Sequence, residues 1–209
     1  KTGWFELGRE IWFQTRMYFK NEYYQINPYR LGIYGRWKIK RLRKKNLLKE
    51  MKKNQDNLDL KKKYVYFALH FEPERTTNPD GGTFHDQVLA IISLRKILPD
   101  DIDIIVKEHP SQFYISDRGS RGRSPLFYEF IKNIKGVDVA NPQENSRKLI
   151  KNSEFVATIG GSVAMEAAIM QKKSLIFGDS WFNGCPNVTT WKDDLSFEDI
   201  SSKEIFKPD

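Results

Sequence analysis

From Tyr64 to Phe177 the chain repeats one pattern: a short apolar run rich in β-branched and aromatic residues, a polar or glycine-rich turn, then apolar residues at helical spacing. Residues 64–69, 102–106, 137–139, 155–159 and 174–177 read as strands. Residues 83–98, 127–134, 146–151 and 162–170 read as the helices between them. No two strand candidates are joined by a hairpin signal. A strand that returns to its sheet through a helix lies parallel to the one before, and such sheets are covered on both faces. The expected fold is therefore α/β, a Rossmann-like doubly wound parallel sheet of five strands.

The rest of the chain has a different texture. Residues 1–63 hold 18 Lys and Arg against 6 Asp and Glu, whereas residues 64–209 hold 17 against 21. An excess confined to one segment points to an acidic partner for that segment. Residues 4–25 read as an aromatic-rich helix that Asn27-Pro28 breaks, and residues 34–54 as a second, strongly basic helix carrying Ile39, Leu42, Leu47, Leu48 and Met51. The bland reading of 34–54 is a solvated helical face linking two domains; the functional one is peripheral contact with an anionic membrane surface. Nucleic acid is not expected, because no binding motif accompanies the charge. The expected organisation is a basic helical segment or linker over 1–62 and a Rossmann-like domain over 63–209.

No apolar run approaches the roughly 18–20 residues that span a bilayer. The single cysteine, Cys185, cannot form an internal bridge, which suits a reducing compartment. The expected location is cytoplasmic, peripheral at the inner face of the membrane. The sequence opens on Lys1 without an initiator Met, so a piece of a longer protein is expected.

In open parallel sheets ligands bind beyond the carboxyl ends of the strands. Here those ends carry His70 to Asn78, then Lys107-Glu108-His109-Pro110, then Gly160-Gly161-Ser162, then Gly178-Asp179-Ser180. The paired glycines allow a tight turn into the next helix, and Ser162 is expected to cap it, which makes the turn receptive to phosphate. Glu166 lies one helical turn on, where a carboxylate can accept from both hydroxyls of a ribose. Pro110 stops its strand and aims His109 at the cleft, where imidazole can donate to phosphate or act as an acid.

These segments resemble bacterial capsular and surface-polysaccharide biosynthesis proteins. The resemblance runs through Tyr66 to Pro79 with Gly81-Gly82 and Asp86-Gln87, then Lys107 to Pro110, Arg123 to Tyr128, and Gly160 to Ala167, covering about residues 64–182. It implies the C-terminal, nucleotide-binding half of a GT-B-type glycosyltransferase, more distantly related to UDP-GlcNAc 2-epimerases, sialyltransferases and Kdo transferases. It implies nucleotide contacts at His109, Ser162 and Glu166, joined by Lys107, Pro110, Gly160 and Gly161. It implies Arg75 facing phosphate or a sugar acid, so that His109 and Arg75 are the expected catalytic pair. His70, Glu74, Thr77, Asn78 and Arg123 are the expected contacts to donor sugar or acceptor. About 60 residues precede this half, too few for a first Rossmann-like domain. Either the protein continues N-terminally or this piece is a nucleotide-binding module.

The expected activity is sugar transfer from a CMP- or UDP-linked donor to a polysaccharide or lipid-linked acceptor, with no metal and no cofactor beyond the substrate. The alternatives are a nucleotide-sugar epimerase or a CDP-glycerol-type glycerophosphotransferase and, from another class, a non-catalytic module that docks on a membrane or partner. Asp100-Asp101-Ile102-Asp103 precedes its strand and reads as a solvated turn, not a metal site. The three histidines lack zinc-ligand spacing, and no G-x-S-x-G nucleophile elbow occurs. Arg118, Arg121 and Arg123, spaced around glycines, stand open between an acidic acceptor and solvent.

Overall fold

A computed structural model describes residues 33–74, 76–113 and 122–207, together with Gly8, Arg9 and Trp12. Arg75, Arg118, Arg121 and most of the helix expected over 4–25 lie outside the described residues. The elements are α1 (Ile33–Lys53), β1 (Tyr64–Ala68), α2 (Gln87–Ile97), β2 (Asp103–Lys107), α3 (Leu126–Lys132), β3 (Val137–Ala140), α4 (Ser146–Asn152), β4 (Val156–Thr158), α5 (Val163–Ile169), β5 (Ser174–Ile176), β6 (Val188–Thr190) and α6 (Phe197–Ser201). The strands form one sheet in the order β3-β2-β1-β4-β5-β6, and every pair is parallel. That is the strand order of a doubly wound Rossmann sheet.

The period-2 alternation of each strand divides the core between the two faces. Val65, Phe67, Ile104, Val106 and Ala157 face Leu47 and Met51 of α1, Ala90, Ile91 and Leu94 of α2, and Phe127 and Ile131 of α3. Tyr64, Tyr66, Ile105 and Val156 face Leu149 and Ile150 of α4 and Ala167 of α5. Each fully buried aliphatic or aromatic side chain contributes roughly 1.5–3 kcal/mol of hydrophobic stabilisation. Leu47 and Met51 thus anchor the second half of α1 to the sheet, so the basic helix is not a free linker there. Upstream, Arg41, Leu42 and Arg43 are exposed. No helix among the described residues is long and apolar enough to cross a membrane.

Two details depart from the expectation. The helix expected to start at Thr83 begins later, because Asp86 is extended and accepts from the Val88 amide as an N-cap. Residues 82–85 form a separate 3-10 turn. A sixth strand, β6, lies beyond the expected five. It is three residues long, and only Thr189 of it is buried, so it left no apolar run to read. The edge it completes is packed from inside: Trp191 stacks on Phe177 at 4.8 Å between ring centroids, and Phe84 meets Phe177 edge-on at 4.9 Å.

Candidate functional site

At the β1–β4 boundary the chain reverses its direction of travel across the sheet: β1 leads outward to β2 and β3, and β4 to β5 and β6. The loops leaving these two strands diverge and open a cleft of about 890 Å³ beyond the carboxyl edge. Its walls include His70, Lys107, His109, the Gly160–Ser162 turn, Glu166 and Trp181.

Register decides what each side chain of the second strand's end can do. Lys107 pairs with Ala68, so it points to the α4–α5 face, and the residues on either side of it point away. Lys107 Nζ donates to Ser146 Oγ at 2.6 Å, at the first residue of α4. Burial pushes the Lys107 ammonium below its ordinary pKa, while Glu144 and Glu166 pull it back up. Tyr66 lies alongside and shares Ser146 as a partner; burial, helped by Glu166, pushes its phenol up to about 12. The floor is therefore a set of proton donors: an ammonium and a phenol joined through one hydroxyl.

His109 comes next on that face and is exposed. Its Nδ1 accepts from the Ser111 amide at 3.3 Å inside the 3-10 turn Pro110–Phe113, which leaves Nε2 as a donor for a ligand.

His70 is a different kind of histidine. It is buried, with Nε2 3.1 Å from the Gly160 amide and 3.0 Å from Thr158 Oγ1, and Nδ1 3.1 Å from Thr76 Oγ1. A backbone amide can only donate, so Nε2 keeps its lone pair and the ring's one proton sits on Nδ1. Burial, then the His109 and Arg123 charges, lower its pKa to about 4. His70 is thus neutral and ties the end of β1 to the glycine turn after β4. A Cβ on Gly161 would stand 3.1 Å from His70 Nε2 and 3.1 Å from Thr158 Oγ1, so the glycine is there to admit the imidazole.

Behind the edge, on the other face, Glu108 is fully buried. Arg123 Nε donates to its Oε2 at 2.9 Å, and Tyr128 donates to the same oxygen at 2.8 Å. Arg123 also donates to the His70 carbonyl at 3.0 Å, lies 3.7 Å from Glu72, and covers the Phe127 ring at 4.2 Å. Burial works against the guanidinium charge, but Glu108, Tyr128 and Glu72 outweigh it and hold Arg123 protonated. Burial and the Glu108 charge push the Tyr128 phenol far above its usual range. Gln112 adds a second tie, accepting from the Glu72 amide at 2.8 Å and donating to its carbonyl at 3.0 Å.

Of the residues singled out in the sequence, His70, Glu74, Lys107, His109, Pro110, Gly160, Gly161, Ser162 and Glu166 line one cleft. Three do not. Arg123 is spent on Glu108 and the His70 carbonyl behind the cleft. Thr77 is buried and donates to the Glu74 carbonyl at 2.9 Å, and Asn78 lies in the same turn. Ser162 lines the cleft but is not the expected side-chain cap: its backbone is already helical (φ −57°, ψ −17°), and its hydroxyl makes no capping bond. Asp179, of the loop named after the fifth strand, lines the cleft as well; Tyr66, Ser146 and Trp181 also line it and were missed. Period 2 counted back from Ala68 would have found Tyr66. The loop after β5 was recognised only as far as Ser180, one residue short of Trp181.

The family model for capsule polysaccharide biosynthesis proteins matches residues 13–197. The chain belongs to that family. No curated protein gives a significant match. Among solved structures, KpsC of Thermosulfurimonas dismutans, a beta Kdo 2,7 transferase, is similar at 16% identity over 78% of this chain and 51% of that one, with a TM-score of 0.47. A beta Kdo 2,4 transferase structure of the same KpsC is similar at 16% identity over 75% and 49%, with a TM-score of 0.48. UDP-GlcNAc 2-epimerase from Methanocaldococcus jannaschii is similar at 19% identity over 71% and 39%, with a TM-score of 0.46. The chain spans about half the length of the KpsC structures.

Proposed function

We propose that this member of the capsule polysaccharide biosynthesis family is the donor-binding half of a GT-B-type sugar transferase, holding a CMP- or UDP-linked sugar for transfer to a polysaccharide or lipid-linked acceptor. The observation that carries the reading is the cleft at the β1–β4 boundary. It gathers cationic and hydroxyl donors around a glycine turn, with an exposed carboxylate one helical turn beyond it. In this reading Glu166 accepts from the ribose hydroxyls, and the Gly160–Ser162 turn receives the phosphate. Lys107 and His109, with Arg75 of the first loop, stabilise the charge that grows on the phosphate as the sugar–oxygen bond breaks. His109 Nε2 is the donor placed to follow that charge. Fixed cations serve the purpose, so turnover is expected without an added divalent ion; strict Mg²⁺ or Mn²⁺ dependence would count against this part.

Calorimetric titration with CMP, UMP, CDP and UDP tests the reading directly, and the absence of binding to all four overturns it. Incubation with nucleotide sugars in the absence of acceptor separates the neighbouring chemistry, since accumulation of a free epimer would mark an epimerase.

A second reading, docking without catalysis, draws on α1, where ten Lys and Arg stand against one Glu in 21 residues. With Arg41, Arg43 and Lys45 exposed, this face suits an anionic membrane surface and gives the protein a peripheral location on it. Salt-sensitive sedimentation with phosphatidylglycerol vesicles, but not with phosphatidylcholine vesicles, is the result expected.

A further inference from the structure

The loop after β5 presents a feature that the nucleotide reading leaves unused. Trp181 is 86% exposed, the most exposed large hydrophobic side chain among the described residues, and it stands in the cleft wall. Its neighbour Phe182 is buried under Ala164 of α5 and meets the indole edge-on at 5.3 Å. The loop is further tied by the Ser180 amide donating to Asn183 Oδ1 at 3.1 Å. An indole left exposed beside a buried, packed neighbour is a platform, not a core residue out of place.

Its place along the edge suggests what it carries. Read across the sheet, the cleft presents Lys107 and His109 beyond β2, His70 beyond β1, the glycine turn beyond β4 and Trp181 beyond β5. Three strand spacings separate the ends, about 14 Å, a span comparable with an extended nucleotide sugar. Glu166 interacts with Lys107 and Tyr66, so the ribose it accepts in the reading above lies on the β2–β1 side of the glycine turn, with Lys107 and His109 reaching the phosphate from that same side. With phosphate at the glycine turn, what extends toward β5 is the sugar. The C–H groups on one face of a pyranose are weakly positive and apolar, which suits the negative face of an indole. Asp179, Ser180 and Asn183 line the cleft beside the ring and offer partners to hydroxyls at the sugar's rim.

We propose that Trp181 is a specificity-determining residue, the stacking platform for the hexose or sugar-acid ring of the nucleotide-activated donor. The proposal rests on the nucleotide-sugar reading of the same cleft. Its test is a set of calorimetric titrations of the full chain and of W181A and W181F, each with a bare nucleotide and its sugar-bearing counterpart: UDP against UDP-GlcNAc and UDP-galactose, and CMP against CMP-sialic acid and CMP-Kdo. For at least one pair the parent should bind the sugar-bearing form about fivefold more tightly than the bare one. W181A should erase that gain and leave the bare nucleotide's affinity in place, and W181F should keep most of it. The proposal is overturned if the gain survives in W181A, if W181A weakens bare and sugar-bearing forms alike, or if no pair shows a gain in the parent. Absence of binding by every bare nucleotide is a separate result that removes the nucleotide reading itself.

Discussion

Glu108 and His109 are adjacent in the chain, yet the alternation of β2 sends them to regions built on opposite terms. Behind the edge, Glu108, Arg123, Tyr128 and Gln112 are buried, and their polar atoms are matched within the protein. In front of it, His109, Ser162, Glu166 and Trp181 are exposed. The rear region fixes where the loops after β1 and β2 stand relative to one another; the front region has its polar groups turned to whatever enters. A charge is therefore worth different things on the two sides: stability behind and, in the proposed function, affinity in front.

The greatest loss of stability is expected at the rear. Arg123→Ala leaves the buried Glu108 carboxylate without its main cation, and a loss of about 3–5 kcal/mol in unfolding free energy is expected by urea denaturation. A loss near that of an ordinary surface substitution would mean that the ion pair is not what secures the two loops.

Next comes His70, which sits between the regions. Its folded pKa of about 4 is below the ordinary 6.5, so the unfolded chain takes up a proton that the folded one refuses. Stability is then unaffected above pH 6.5 and falls as the pH drops from 6.5 to about 4, by an amount on the order of 3 kcal/mol. Urea denaturation at stepped pH should show this slope in the parent and lack it in His70→Asn; equal slopes in both would remove His70 as its source.

In front, His109→Ala is expected to weaken nucleotide binding by roughly 1.5–3 kcal/mol, the range of a charge-assisted hydrogen bond. Its unfolding free energy should stay within about 0.5 kcal/mol of the parent, as for exposed sites. A variant that lost stability and kept affinity would place His109 with its neighbour behind the edge.

The smallest effect is the sharpest discriminator. Glu166→Ala should cost ribonucleotide binding about 1–2 kcal/mol and 2′-deoxynucleotide binding much less, a coupling that a cycle of protein change against ligand change isolates. Simple additivity would show that Glu166 does not reach the ribose.

Most of this architecture was legible because a fully buried parallel strand must be apolar on both faces, and such runs stand out at 64–69 and 102–106. The strands that blur are those that bury little, and β6 is the extreme case. In the site, the residues fixed by backbone direction were readable: Lys107 ends a strand, His109 follows it, and Gly160-Gly161 must turn into a helix. Arg123 was not, because whether an arginine faces a cleft or a buried glutamate depends on which face Glu108 takes, and that follows from register. Ser162 failed for a local reason: a serine before a helix caps it only from an extended backbone, and sequence does not report φ.

The bond between the Gly160 amide and His70 bears on the order in which the protein assembles its cleft. Gly160 and His70 are 90 positions apart in the chain, and they meet because β4 inserts beside β1. A chain emerging from the ribosome would finish β1, β2 and β3 in turn, each pairing with its predecessor, while one long edge of β1 waited for a partner still unmade. Contacts of such separation close large loops and come at an entropic cost that local pairings do not meet. Until β4 docks, His70 has no amide to receive, the turn after β4 has no imidazole beneath it, and there is no cleft. Fragments truncated before Val156 should therefore hold half of a sheet and only the β1 and β2 side of the site, and any pause in synthesis just ahead of β4 would expose the edge of β1 when it is most open to a wrong strand.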